Sequence, residues 1–291
     1  MIPGASLLPF VPGGGGEIPE LELELTGVTT DTAALAAYAK VCGFALRDHL
    51  PPTYPHVLAF PLQMAVMADG RFPFGAVGLV HVENRIAQRR PIAVGEELTL
   101  CVRPTKLQPH PKGQTFTLQT VALSSDEVVW DEVSTMLRRG KGAENVQTTG
   151  QSTENAETPA MREEARSQLG GGFEVLPEDA PAVAEWRLGG DLGRRYAAVS
   201  GDRNPIHMHA LPAKLLGFPA AIAHGMWTKA RCLAALESRL PDAFEVEVRF
   251  RKPILLPARV EFASAEPADS EIAFAVRDAK RNTPHLDGRI R

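Results

Sequence analysis

Cysteine is scarce in this chain: three residues among 291, Cys42, Cys101 and Cys232, odd in number and far apart. They form neither a disulfide framework nor a zinc-binding spacing, and they suit a reducing compartment. No stretch reaches the ~18 consecutive apolar residues of a membrane-spanning helix. The start, MIPGASLLPFVPGGGG, has no basic n-region and no apolar run of signal-peptide length. A basic excess is missing too, since 31 Lys and Arg face 35 Asp and Glu for a net charge of -4. Nucleic-acid binding draws on a concentrated cationic surface, which speaks against that class of partner. Nor is there a phosphate cradle: no strand precedes Gly13 to Gly16, no Lys-Ser/Thr pair follows, and Pro19 interrupts the exit. These absences describe a soluble, cytoplasmic protein with no nucleic-acid or membrane partner.

What is present is ample core material, 44% hydrophobic residues over a length beyond the usual single domain. Residues 1–20, rich in Gly and Pro, read as an irregular arm. Leu21, Leu23 and Leu25 alternate with Glu22 and Glu24, the period of a half-buried strand. Asp31 or Thr32 caps a helix over Ala33–Phe44, and a loop with Pro51, Pro52 and Pro55 leads to an apolar helix near Pro61–Ala68. From Val77 to Leu137 the pattern is strand-like, and Val80, Val82 and Ile86 begin it. A long antiparallel sheet wrapped on the apolar helix is the simplest packing of these pieces.

Residues 139–172 lose that pattern and read as a flexible linker, with a short helix around Met161–Gln168. From 173 to 291 the plan returns. A strand (AVAEWRL) is followed by a helix near Asp191–Val199, a loop, an apolar helix from about Gly225 to Leu240, and the strands FEVEVRFRKPI, ARVEFASA and EIAFAVRDA. In both halves a strand ends in basic-Pro-Ile, Arg90-Pro91-Ile92 and Lys252-Pro253-Ile254. The shared order points to internal duplication of an α+β unit over residues 21–138 and 173–291.

The loop of the second half carries the chemistry. Gly201, Asp202, Asn204, Pro205 and His207 fall within seven residues, and His224-Gly225 opens the next helix. Pro205 fixes its own φ and restricts Asn204 before it. A carboxylate and an imidazole on so bent a loop converge on one point, as general acid–base work on a bound water requires. The free N–H groups of a helix start suit an oxygen developing negative charge. The plainer reading has Asp202 and Asn204 capping turns and His207 filling a crevice. A metal on His207, His209 and His224 is disfavoured for want of a complete ligand set. His224 reads as a residue pinning the helix start rather than as a third catalyst.

Tyr196, Ser200-Gly201-Asp202, Asn204-Pro205-Ile206-His207, Gly217-Phe218 and Ile222-Ala223-His224-Gly225-Met226 together closely resemble the signature of the MaoC-like dehydratases. That family includes the (R)-specific enoyl-CoA hydratases and the dehydratase modules of fatty-acid synthesis. The resemblance implies a double hot-dog fold, two antiparallel sheets each wrapped around a central helix, with one half keeping the catalytic loop. Residues 21–138 contain no G-D-x-N-P-x-H and fit the half that has lost it. By the same resemblance Asp202 and His207 are the catalytic pair, Gly225 offers its N–H to the thioester carbonyl, and Asn204, Ser200, Tyr196 and His224 support the site. No cofactor and no metal is implied. The implied reaction is reversible syn hydration and dehydration between trans-2-enoyl and (R)-3-hydroxyacyl thioesters of CoA or acyl carrier protein. His209 and Ala221 depart from the pattern, standing where many members have an acidic residue and a proline. Arg249, Arg251 and Lys252 face either CoA phosphates or an acidic carrier, or simply form a solvated strand face. A hot-dog thioesterase and a non-catalytic acyl-binding subunit share the fold, and the joint retention of Asp202, Asn204, His207 and Gly225 speaks against both. A duplicated chain can satisfy the hot-dog pairing internally, which leaves monomer and homodimer both open.

Overall fold

The structure, a computed structural model, describes residues 16–140, 176–177, 179–268 and 271–291. The expected linker at 139–172, apart from its first two residues, lies outside them, as do its short helix and residues 1–15 of the N-terminal arm. The first half comprises β1 (Leu23–Val28), α1 (Thr32–Cys42), α2 (Tyr54–Met67), β2 (Val80–Gln88), β3 (Leu98–Pro104), β4 (Gln108–His110), β5 (Gly113–Ser124) and β6 (Glu127–Arg139). The second comprises β7 (Ala184–Leu188), α3 (Leu192–Ser200), the short α4 (Pro205–Met208) and α5 (Ala210–Leu215), α6 (Gly225–Ala235), β8 (Phe244–Phe250), β9 (Ala258–Ala268), β10 (Glu271–Asp278) and β11 (Pro284–Ile290).

Among the described residues all strand pairs are antiparallel. Their order is β1-β3-β5-β6-β2-β8-β11-β10-β9-β7, with β4 on β5. Read outward from the middle, the halves mirror one another. In each, the first strand lies at the far edge and the strand after the long helix lies at the seam. There β2 pairs with β8, Glu83 opposite Arg249 and Gln88 opposite Phe244, so the two expected sheets are joined edge to edge into one. No edge is left at the seam for another chain to pair with.

Local chemistry explains the helix bounds. Asp31 caps α1 by accepting from the Ala34 N–H at 2.8 Å, and Gly43 ends it in the left-handed region. The second helix starts at Tyr54, well before the expected Pro61. Pro55 sits in its first turn, where a missing N–H costs nothing, and Pro61 lies inside the helix with Ala59, Leu62 and Val66 buried near it. At the other end of the chain, α6 stops at Ala235 rather than Leu240 and gives way to a 3-10 turn at Glu237–Arg239. The strand β11 was not expected, since Pro284 and Gly288 disguise its period; Pro284 is its first residue, where a proline is permitted.

Beneath the seam lies a buried polar network. Lys229 of α6 donates to the Asn84 side-chain oxygen, to the Asn84 carbonyl at 3.3 Å and to the Val246 carbonyl at 3.2 Å. Asn84 Nδ2 donates to Glu132 at 2.6 Å and to Ser134 Oγ at 3.0 Å. His56 Nδ1 and Gln63 Nε2, both of α2, also donate to the Glu132 carboxylate, at 2.9 and 3.1 Å. Burial pushes the Glu132 carboxyl up, but His56 and Asn84 outweigh it and hold the group at about 2. The Lys229 ammonium is pushed down by burial to about 7. Both long helices are thereby tied to the joined strands.

Candidate active site

The chain leaves α3 through Gly201, whose φ of 79° turns it away from the helix axis and presents Asp202. Three short-range bonds then fix the loop. The Asp202 N–H donates to Ser200 Oγ at 3.2 Å, Asp202 Oδ1 accepts from the Asn204 N–H at 3.1 Å, and Asn204 Oδ1 accepts from the Ile206 N–H at 3.4 Å. Asn204 is thereby the N-cap of α4 with Pro205 behind it, and the single turn swings His207 back toward Asp202. His207 lies within this short helix rather than on open loop.

His207 Nδ1 donates to the Ile222 carbonyl at 2.9 Å, which leaves Nε2 with the lone pair when the ring is neutral. His224, the N-cap of α6, donates from Nε2 to the Asp202 carbonyl at 3.0 Å, with Asp202 Oδ2 3.7 Å away. Its ring stacks on His207 with centroids 3.7 Å apart and meets Tyr196 at 4.8 Å. Burial, helped by neighbouring His207, pushes His224 down to about 3. Burial also lowers His207, against the pull of Asp202 and the Ile222 carbonyl. For Asp202 burial acts upward, but His224, His207 and the Asn204 N–H bring it below its ordinary value. Its side chain stays 30% exposed, because it borders a cavity rather than packed protein. The site at neutral pH is thus one carboxylate beside two neutral imidazoles.

Gly225 begins α6, so its N–H has no acceptor within the helix. A Cβ there would stand 3.0 Å from Cε1 and Cζ of Phe250, so a side chain at this position would have to push the ring aside. Tyr196, Ser200, Asp202, Asn204, His207, His224 and Gly225 all line one cavity. Its remaining wall comes from both halves: Phe60, Gln63 and Met67 of α2, His81 of β2 and Met136 of β6 face Ile206, Phe218 and Ile254. The sequence reading missed His56, Gln63, His81 and Arg139, which also line it. A β-bulge between His81 and Glu83 breaks the simple alternation of β2, and no residue type in VHVENRIAQ announces it.

The other expected residues separate. His209 is exposed, as N-cap of α5. Arg249 pairs with Glu83 at 3.5 Å and Arg251 with Asp287 at 2.5 Å, while Lys252 borders the cavity. Asp202, His207 and His224 each bring one ligand atom within 4.8 Å of the others, a spacing that a cation spans. The two rings are stacked with planes only 25° apart, so their in-plane lone pairs run side by side instead of converging. Nδ1 of His207 and Nε2 of His224 are already given to backbone carbonyls. This donor set does not suit a metal. Among the described residues no helix is long and apolar enough to cross a membrane.

A family model described as the MaoC like domain matches residues 183–286, a stretch that contains the whole constellation. The chain is 37% identical to 3-hydroxyacyl-thioester dehydratase X of Mycobacterium tuberculosis over 287 residues, 99% of this chain and 94% of that one. The crystal structure of HtdX from the same organism superposes with a TM-score of 0.77 at 35% identity, covering 93% of this chain and 99% of the other. A further M. tuberculosis structure, described as having a double hotdog fold, matches with a TM-score of 0.57 at 14% identity over 93% and 94% of the two chains. At that identity the likeness shows the fold alone.

Proposed function

The chain belongs to the MaoC-like dehydratases and is a hydro-lyase, and on that premise we propose that it interconverts trans-2-enoyl and (R)-3-hydroxyacyl thioesters by reversible syn hydration. The observation that carries the reading is the meeting of Asp202, His207 and the Gly225 helix start on the wall of one cavity. Asp202, ionised, and His207, neutral with Nε2 free to accept, hold one water against C3 of the enoyl group. Its oxygen bonds to C3, one of its protons leaves through the pair, and a proton reaches C2, so that the elements of water add across the double bond. While C2 is being protonated or deprotonated the thioester carries enolate charge on its oxygen. The Gly225 N–H and the positive end of α6 stabilise that charge. His224 acts as a positioning residue, holding the Asp202 backbone and backing His207 with its ring.

The acyl chain runs between the α2 and β6 wall and the second half, past Met67, Leu118 and Met136. Arg139, Lys252 and the cavity opening suit the phosphates of CoA or of a carrier-bound phosphopantetheine. Hydration of crotonyl-CoA, followed by loss of the conjugated absorbance and chiral analysis of the product, tests the reading. The expected product is (R)-3-hydroxybutyryl-CoA. Release of free thiol at a comparable rate would point instead to a thioesterase, and binding without turnover to an acyl-binding subunit.

A further inference from the structure

Of the polar side chains that line the cavity and take no part in this mechanism, one holds a buried atom without a partner among the described residues. His81, from the half without the catalytic loop, lines the same cavity as Asp202, His207 and Gly225. Its Nε2 is buried with no hydrogen-bond partner among the described residues. A polar atom shut from water without a partner costs about 1–3 kcal/mol, so its presence calls for an explanation. The backbone supplies a second observation. In the β2–β6 ladder His81 faces Met136, yet Glu83 faces Thr135, so one extra residue is accommodated between them. Counting back by twos from Asn84, which meets buried Lys229, would bring Val82 inward; the bulge brings His81 to the cavity instead. Bulges beside a site commonly re-aim a side chain in this way. The re-aimed ring lies 5.1 Å, centroid to centroid, from Phe250, the same ring whose edge covers Gly225.

An acyl thioester offers few atoms that an imidazole can bind near this point. The C3 oxygen is engaged by Asp202 and His207, and an aliphatic chain beyond C3 has no acceptor. The thioester carbonyl remains, on the Gly225 side of the cavity. Resting on the hydratase reading, we propose that His81 is a catalytic residue from the other half, donating an N–H to the thioester carbonyl oxygen alongside the Gly225 N–H. Burial lowers His81 to about 4, which keeps the ring neutral at physiological pH; a neutral ring donates a hydrogen bond without yielding its proton. The oxyanion site is then built across the seam, one donor from each half.

Infrared difference spectra of crotonyl-CoA carrying 13C at the carbonyl, bound to the slow Asp202→Asn protein, test this directly. The bound carbonyl stretch is expected to fall below that of the free ligand. Adding His81→Leu should remove part of that shift, whereas His81→Gln, which keeps an N–H, should retain most of it. In the otherwise unaltered protein His81→Leu should lower kcat by roughly 10²-fold with KM nearly constant, the scale for one oxyanion donor. Melting curves of both variants separate this from a folding defect, and His81→Gln carries the test if His81→Leu does not fold: a kcat and a shift equal to those of a folded His81→Phe would overturn the proposal. An unchanged carbonyl shift and kcat in His81→Leu would overturn it while leaving the hydratase reading intact. No hydration by the unaltered protein would instead remove the reading on which it rests.

Discussion

The two halves of the molecule follow one strand order and part company at one point, the connection between their helices. Tyr38 and Tyr196 occupy the same place, five residues before the left-handed glycines Gly43 and Gly201 that end α1 and α3, and their rings meet at 6.2 Å. The next residue is Phe44 in one half and Asp202 in the other. Phe44 turns into the core and packs on Tyr38 at 6.4 Å; Asp202 turns to the cavity. Residues 43–53 then run directly into α2, while the equivalent stretch, 201–224, is more than twice as long and carries α4, α5 and the two stacked histidines. The helix starts differ in the same sense. Where α6 opens with His224-Gly225, α2 opens with Thr53-Tyr54-Pro55: Tyr54 packs edge-on against Tyr38 at 5.1 Å, and Pro55 has no N–H to offer. The first half has filled its own pocket with aromatic rings. Its α2, β2 and β6 instead wall the cavity of the second. One half carries the candidate pair, and the other supplies part of the wall around it.

The largest expected effect breaks this comparison on its catalytic side. Asp202→Asn and His207→Ala should each lower crotonyl-CoA hydration by at least ~100-fold, the scale of general acid–base contributions. The matched control in the first half, Asp48→Asn on the short connection, should leave the rate within about twofold, as surface changes away from a site usually do. An equal loss in both halves would contradict a single reaction centre. Next comes Gly225→Ala, which places a methyl group against Phe250. A displaced helix start should cost about tenfold to 10²-fold in kcat/KM, and a second change, Phe250→Leu, should recover part of it.

The wall of the cavity gives a stability effect. Glu132→Leu strands His56, Gln63 and Asn84 without their shared acceptor. Breaking such a buried charged cluster costs about 3–5 kcal/mol, a fall of roughly 5–8 °C in melting temperature for a chain of this size. The sign of its pH dependence also follows. With the folded-state carboxyl at about 2 and an ordinary value of 4.5, its contribution is complete above 4.5 and disappears as pH falls through 2. Melting curves of Glu132→Leu should lack that part of the acid slope. The smallest effect is the acid limb of kcat/KM. Protonation removes the His207 lone pair, and burial holds that ring below its ordinary 6.5, so the limb should have its midpoint below pH 6.5. A midpoint at or above that value would remove His207 as the neutral base.

Much of this was legible because it is local. Asp202 and Asn204 fix the loop through bonds two residues long, Pro205 and His207 follow within five residues of Asp202, and the alternation of Phe244, Val246 and Val248 shows β8 directly. What the sequence did not disclose depends on distant partners or on the backbone. The bond from His56 to Glu132 spans 76 residues and that from Lys229 to Asn84 spans 145, distances over which a single sequence carries no pairing signal. The bulge that exposes His81 is a matter of register rather than residue type, and Pro284 and Gly288 hid β11 behind the marks of a turn. Pairing of the two sheets within one chain was legible as one way to satisfy the hot-dog plan, but not the strands that make it. Their junction through β2 and β8 is a contact between halves and leaves no local mark.

The comparison between the halves is tested most directly by counting sites. Equilibrium dialysis with an unreactive thioester such as butyryl-CoA, at saturation and against chain concentration, should give one molecule bound per chain. Two per chain would mean that the first half still holds a pocket of its own, and would contradict the account of it as the wall of the second.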